Sequence, residues 1–564
     1  MNIIKFSLKI IGQIFFVIIF LSTTNAKSLD KFNKANNMSN YISGILLLNE
    51  NQYDESLKFL KKLNGLEKSH NSYSLKYLYS LVNSGNIKEA FNYSKKLEKQ
   101  NLGSFESYLV TGVYYLKNSN KVLAQEYFLK AKNKDTRFIL NKYISTSTYS
   151  LSKLSEINFN QASLALKKLD ERFENLNQIQ NVLLSCFFDS PQANDLYKRL
   201  TADQNTDFSR YNYFFASFLA ASNKIEEAKK IVNNALKSHP RNLLLNQYKI
   251  DLNESKNISI FNCKKEGHII AEILYVAANA LSSQSIYVLS NYYLNLAKYL
   301  NEEFRSYDTL LAENYYKIEN FKKAKNIYKN LSKEGKAFQW HSSKQLAKIL
   351  IKEEKNDKAI NLVGEAYNDL INKDIYETFD YAEFLKNNEK FNESITYYSM
   401  IIEEVKKDHP LFAESTDGRG VAYERIGEWH KAEKDLLASL DANPEQAYVL
   451  NYLAYTWIEQ GVKIEKSLNM LEKANELRSN DPYIIDSLGW ALFKLKKYKK
   501  SKDVLQQAVR LMPGDPIVND HYGDVLWKNG KEIQARYYWN YVLKLDETEI
   551  ELKQAVEEKL VKGL

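Results

Sequence analysis

The chain has 564 residues, 44% hydrophobic and 26% charged, which is the composition of a folded protein and not of a disordered one. With 7 prolines and 18 glycines it lacks the turn density of a β-rich fold. A formal charge of +9 is mild for this length and no dense Lys/Arg block occurs, so nucleic-acid binding is not suggested.

Lys5 and Lys9 precede an apolar run from Ile10 to Leu21, and Thr24-Asn25-Ala26 follows with small residues at cleavage spacing. Residues 1–26 read as a secretory signal peptide removed before Lys27, with an uncleaved anchor as the alternative. The run falls short of the roughly 20 residues that a membrane span needs. No Cys follows it, which disfavours a lipoprotein. No later stretch is long and apolar enough to span a bilayer, so the mature chain is expected to be soluble and periplasmic.

Gly44, Leu78 and Gly112, spaced 34 and 34, mark three helix pairs. Gly112 to Ala216 is 104 residues, which suits three more steps, so 133–205 should hold two pairs with eroded signatures. Ala216 to Ala277 is only 61, and 253–267 is polar and irregular. That stretch reads as a break or hinge between a solenoid at 27–252 and another at 268–546. From Ala277 the small residue returns at Ala312, Ala347, Ala382, Gly420, Ala454, Gly489 and Gly523. Extra residues near Asp408-His409-Pro410 predict a longer loop, and 547–564 predicts a capping helix.

In the clearest copy Ile485, Leu488, Leu492 and Leu495 share one helix face. Tyr498, Ser501, Leu505, Ala508 and Leu511 share the face of a second helix, which Pro513 ends. Gly489 and Ala508 let the two helices approach. One such pair cannot bury its own apolar face, so the pairs must stack.

The same pattern runs through Gly112, Ala124, Phe128 and Ala131, then Ala216, Ala228, Val232, Ala235 and Pro240, and again Gly420, Ala432, Leu436, Ser439 and Pro444. It resembles the tetratricopeptide repeat (TPR), with eleven recognisable copies; Ser replaces the second-helix Ala at Ser56, Ser394 and Ser501. The resemblance implies an all-α, right-handed α-solenoid of antiparallel helix pairs. The last four copies also resemble exported repeat proteins of alphaproteobacteria, through Asp486-Ser487-Leu488-Gly489-Trp490 and Asn519-Asp520-His521-Tyr522-Gly523-Asp524.

Catalytic motifs are missing. There is no His-Glu-x-x-His, no Gly-x-Ser-x-Gly and no phosphate-cradling loop, and the 7 histidines never pair at metal-ligand spacing. No enzyme activity, cofactor or metal is expected. Cys186 and Cys263 stand 77 residues apart, about two repeats along a straight stack. Helices pack about 8–10 Å apart, against a disulfide window of about 4.4–6.8 Å. Two unpaired thiols are therefore expected, and only a loop that folds back could join them.

The resemblance implies binding on the concave face lined by the first helix of each pair, helix A. Three residues before the small anchor of the last four repeats stand Asp417, Asn451, Asp486 and Asp520. One residue after it come Val421, Tyr455, Trp490 and Asp524, and four after it Glu424, Ile458, Phe493 and Trp527. Earlier repeats carry Thr309, Lys344 and Phe379 at the first of these positions.

Two readings compete. The acids and amide bond donors of the next repeat and stiffen the stack; or Asp417, Asn451, Tyr455, Asp486, Trp490, Asp520, Asp524 and Trp527 line a groove for an extended peptide bearing Lys, Arg or a free amino terminus. Asp486, Asp520 and Asp524 around Ca²⁺ is a lesser option, and either tryptophan also fits a core role. The function expected is a periplasmic scaffold that binds a protein or peptide partner, basic in the groove reading, in cell-envelope biogenesis or assembly. A subunit of a polysaccharide-export apparatus, favoured by the 40 tyrosines, and a regulatory subunit of an envelope enzyme complex are the alternatives.

Overall fold

A computed structural model describes residues 35–63, 65–134, 138–166, 173–202, 208–256, 260–371 and 373–564. The leader read at 1–26 lies outside them, as do 257–259 within the irregular stretch. Every regular element among the described residues is helical. None of the described helices is long and apolar enough to cross a membrane. The chain divides into two compact units, Met1–Ala366 and Tyr367–Leu564.

The first unit opens with the pairs α1 (Ala35–Asn49) and α2 (Tyr53–Leu60), α3 (Asn71–Asn83) and α4 (Ile87–Lys99), and α5 (Phe105–Lys117) and α6 (Lys121–Asn133). Next come α7 (Ile139–Leu151) and α8 (Phe159–Leu166), α9 (Glu174–Phe187) and α10 (Ala193–Thr201), and α11 (Arg210–Ala221) and α12 (Ile225–Ser238). Helix α13 (Leu243–Asn253) follows without a second helix. Then come α14 (Glu266–Ser283) with α15 (Tyr287–Leu300), α16 (Ser306–Lys317) with α17 (Phe321–Leu331), α18 (Lys336–Lys352) and α19 (Asn356–Asn368).

A Cβ added to Gly44 would meet Leu60 at 2.5 Å, and one added to Gly112 would meet Phe128 at 2.6 Å. The anchor is small because the second helix drives a large side chain against it. Where Ser replaces the second-helix Ala, its hydroxyl is used: Ser56 Oγ donates to Gly44 O at 2.7 Å, across the pair.

A left-handed residue stands seven after the anchor and turns helix A into its partner, as at Asn51, Gly85, Ser119 and Asn223. The same step places Ser285 after Ala278, so the anchor of α14 is Ala278 and not the Ala277 read from the sequence. Ser290 Oγ donating to Ala278 O at 2.8 Å agrees. It also identifies Val182 and Tyr248 as anchors, before Asp189 and Ser255.

Helices α14 and α15 do not simply extend a stack. They pack on α3, α5 and α7, the A helices of the early repeats. Asn83 Nδ2 donates to Val288 O at 3.0 Å, Tyr292 Oη to Glu106 O at 2.9 Å and Tyr293 Oη to Asn141 Oδ1 at 3.2 Å. Lys121 pairs with the buried Glu266 at 3.0 Å, and Lys323 with Asp54 at 3.0 Å. The inner face of the early repeats is thus filled by the protein's own chain.

This return also corrects the expectation for the cysteines. Cys186 and Cys263 form a disulfide, with Cα atoms 6.0 Å apart. The estimate of their separation assumed a straight stack, whereas the segment before α14 folds back past the end of α9. Lys264 Nζ reaches Phe187 O at 2.8 Å and Asp189 at 2.6 Å, and Asn301 Nδ2 donates to Ile260 O at 3.1 Å.

The second unit is a regular run of pairs: α20 (Ile375–Asn387) and α21 (Phe391–Glu404), α22 (Pro410–Arg425) and α23 (Trp429–Ala442), α24 (Ala447–Glu459) and α25 (Ile464–Leu477). It continues with α26 (Pro482–Lys494) and α27 (Tyr498–Leu511), α28 (Pro516–Lys528) and α29 (Glu532–Val542), and closes on α30 (Ile550–Lys562). Proline opens α22, α26 and α28, where its missing N–H costs nothing. Asp481 and Asp515 cap the last two of these by accepting from backbone N–H groups of the first turn. Gly489 meets Leu505 and Gly523 meets Trp539 as Gly112 meets Phe128. Ser501 Oγ donates to Gly489 O at 2.7 Å, repeating the Ser56 contact.

Candidate functional site on the A helices of the second unit

The ladder residues occupy the same helical position on α22, α24, α26 and α28, but their surroundings differ. Asp486 is 5% exposed, and its Oδ2 lies 2.9 Å from His521 Nδ1 on the next A helix. The Trp490 ring stacks on the His521 ring at 3.9 Å and 12°, and on Phe493 at 4.7 Å. Trp490 Nε1 donates to Glu459 Oε1 at 2.5 Å. Trp490, 8% exposed, is therefore a packing residue between repeats.

Asp520 receives Lys559 Nζ of α30 at 2.8 and 2.7 Å, and Asp524 receives the same ammonium at 2.8 Å. Trp539 Nε1 donates to Asp524 Oδ1 at 3.0 Å. Trp527 packs on Trp539 at 5.5 Å, with the Arg536 guanidinium 4.6 Å from its ring and Gly563 against its edge. The ammonium bonds two of the three carboxylates considered for Ca²⁺. Among the described residues no group of three or more His, Cys, Asp or Glu could hold a metal ion.

Electrostatics follow from burial. Burial would lower His521, but the charge of Asp486, its hydrogen bond, and then Asp520 and Asp524 hold it above its ordinary value. Burial and the neighbouring Asp520 push Asp524 up to about 6 against the pull of Lys559. Tyr455 is half-buried and raised, by burial first and then by Glu459 and Asp486.

The earlier rungs differ. Asp417 makes no hydrogen bond or ion pair among the described residues, and burial pushes it up to about 6, with Lys386 opposing and Glu383 and Glu414 adding. Asn451 Oδ1 and Asp486 Oδ1 are buried with no donor. Three residues before Asn451 and Asp486, the rings of Tyr448 and Tyr483 are exposed. Tyr448 Oη donates to Asp481 Oδ2 at 2.9 Å, with Arg478 4.7 Å above its ring.

The structure thus places Asp486, Asp520, Asp524, Trp490 and Trp527 in contacts between successive helices, and leaves Asp417 and Asn451 with open acceptors. Sequence reasoning missed His521, Lys559 and the Tyr448/Tyr483 column. Of these only the tyrosines had a repeat-spaced signal, Tyr483 standing 35 residues after Tyr448.

These helix pairs, with their small anchor and a period near 34, form an all-helical repeat array similar to that of tetratricopeptide repeat proteins. No protein-family profile matches the chain. A TPR repeat-containing protein of Pseudomonas aeruginosa is 28% identical over 149 residues, which is 26% of this chain and 25% of that protein. The chain therefore matches about a quarter of that relative's length. Among solved structures, MamA from Desulfovibrio magneticus RS-1 is 16% identical over 31% of this chain and 97% of its own, with a TM-score of 0.28. YrrB, described as a TPR protein with an unusual peptide-binding site, is 15% identical over 33% of this chain and 92% of its own, with a TM-score of 0.28. PilF of Pseudomonas aeruginosa is 18% identical over 33% of this chain and 85% of its own, again at 0.28.

Proposed function

We propose that the protein is a non-enzymatic scaffold outside the cytoplasm that holds an extended, basic segment of a partner protein on the A helices of its second unit. Cell-envelope biogenesis or assembly is the process that fits this role. One contrast carries the reading: the A-helix face of the early repeats is filled by α14 and α15, whereas in the second unit Tyr448 and Tyr483 are exposed and Asp417 and Asn451 lack donors. Export is supported by the leader-like residues 1–26 and by the Cys186–Cys263 disulfide, since such bonds persist in oxidising compartments. Trp490 and Trp527, which pack on protein side chains, lend no support to the alternative polysaccharide-export reading.

Site-specific photocrosslinking in cells tests the reading. A crosslinker at Tyr483 should trap a discrete partner that one at Lys499, exposed on α27, does not. Trapping from Lys499 alone, or a chain retained in the cytoplasm, would count against it.

A further inference from the structure

The donors that quiet the ladder come from a definable place. At the last rungs they lie on the following A helix or the cap: His521 serves Asp486, and Lys559 serves Asp520. His521 stands two residues before its anchor Gly523, and the equivalent residues are Tyr452 before Ala454 and Ser487 before Gly489. Both are turned elsewhere. Tyr452 Oη donates to Glu424 Oε2 at 2.8 Å, and Ser487 Oγ to Tyr483 O at 2.9 Å on its own helix. Asp417 and Asn451 Oδ1 consequently receive nothing from the next repeat.

We infer that Asp417, Asn451 and the free Oδ1 of Asp486 are the recognition rungs for a partner's lysine or arginine side chains, while the acids of α28 are structural. This rests on the scaffold reading above and goes further by dividing the ladder. The chemistry is one-sided: a carboxylate, an amide oxygen and a carboxylate oxygen accept hydrogen bonds. The exposed rings of Tyr448 and Tyr483 beside them offer faces for cations and aliphatic stems. Asp486, almost wholly buried, keeps an oxygen without a donor, which is costly unless a ligand supplies one. Neighbouring A helices lie on the order of 10 Å apart. An extended chain advances about 3.3–3.6 Å per residue. The segment that fits therefore carries a cation at about every third residue.

The test uses the full-length protein and two fluorescent peptides of equal length, one repeating Lys-Ala-Ala and one repeating Glu-Ala-Ala. Fluorescence polarisation at low salt should show binding of the lysine peptide alone. Asp417→Asn and Asn451→Leu should each weaken it about tenfold with the melting temperature unchanged. Asp520→Asn should lower the melting temperature and leave the affinity within about twofold. Hydrogen exchange on the wild-type protein should show the lysine peptide protecting α22 and α24, a readout independent of any variant's folding. If the peptide binds but both variants match wild type, or protection falls only on α28 and α30, the division of the ladder is wrong and the scaffold reading stands. If neither peptide binds and crosslinking at Tyr483 traps nothing, both fail together.

Discussion

Tyr293 Oη donates to Asn141 Oδ1, 152 residues earlier in the chain, inside the first unit. Both groups are buried, so neither can exchange this bond for water. Tyr293→Phe keeps the ring but leaves the Asn141 oxygen bare, which should cost about 1–3 kcal/mol. Five of the six tryptophans lie in the second unit, so their fluorescence should report no change while circular dichroism shows earlier melting of the first. An unchanged first transition would mean that this bond does not hold α15 in place.

The disulfide should act on the same unit. It closes a loop of 77 residues, for which the chain-entropy argument gives an upper bound of about 4.5 kcal/mol. Cys186→Ser/Cys263→Ser, or reduction of the wild type, should lower the first unit's melting temperature and leave tryptophan fluorescence of the second unaltered. Equal melting of oxidised and reduced protein would show that the α9–α14 approach is held by Lys264 and its partners alone.

The anchor glycines are not equivalent. A Cβ on Gly489 would stand 2.5 Å from Leu505 Cγ and 2.7 Å from Cδ2, with Leu505 fully buried; on Gly420 the nearest atom is Leu436 Cγ at 3.0 Å. Alanine gains about 1 kcal/mol of helix propensity at either site, set against about 1–3 kcal/mol for overpacking. Gly489→Ala should therefore destabilise the second unit by up to about 2 kcal/mol, and Gly420→Ala should be close to neutral. Urea titration followed by tryptophan fluorescence measures both, and the reverse order would contradict this account of the anchor.

The repeat was legible because its signal is local. Gly489, Ser501 and Leu505 answer to a helix pair whose contacts lie within 16 residues. The eroded repeats were not legible because Val182 and Tyr248 occupy the anchor position, and no small residue announces them. The return of α14 and α15 was hidden for a different reason. Its contacts, such as Asn83 with Val288, join residues 205 apart, and nothing in a 34-residue period records them. At the ladder the sequence supplied the acids in register, but which were neutralised depended on the next helix. Tyr452 and His521 hold equivalent positions, yet only His521 turns toward the ladder acid before it.

The buried cluster around Asp524 makes the second unit's stability depend on pH in one direction. Asp524 titrates at about 6 in the folded protein against an ordinary 3.8, so between about pH 4 and 6 the folded state holds a proton that the unfolded state releases. Raising the pH through that window removes stability. His521 is raised above 6.5, so what its protonated form contributes is present below that value and is lost as pH rises through the folded one. Asp417, also raised to about 6, has the same sign as Asp524. From pH 5.5 to 7.5 the second unit should therefore lose stability, on the order of 1 kcal/mol from Asp524 alone. Tryptophan-monitored melting should show the fall, and Asp524→Asn should flatten it in part by removing that group's proton while leaving His521 and Asp417. A transition that rises over the same range would require His521 to be held below its ordinary value, and would overturn the assignment of Asp486 as the partner that outweighs burial there.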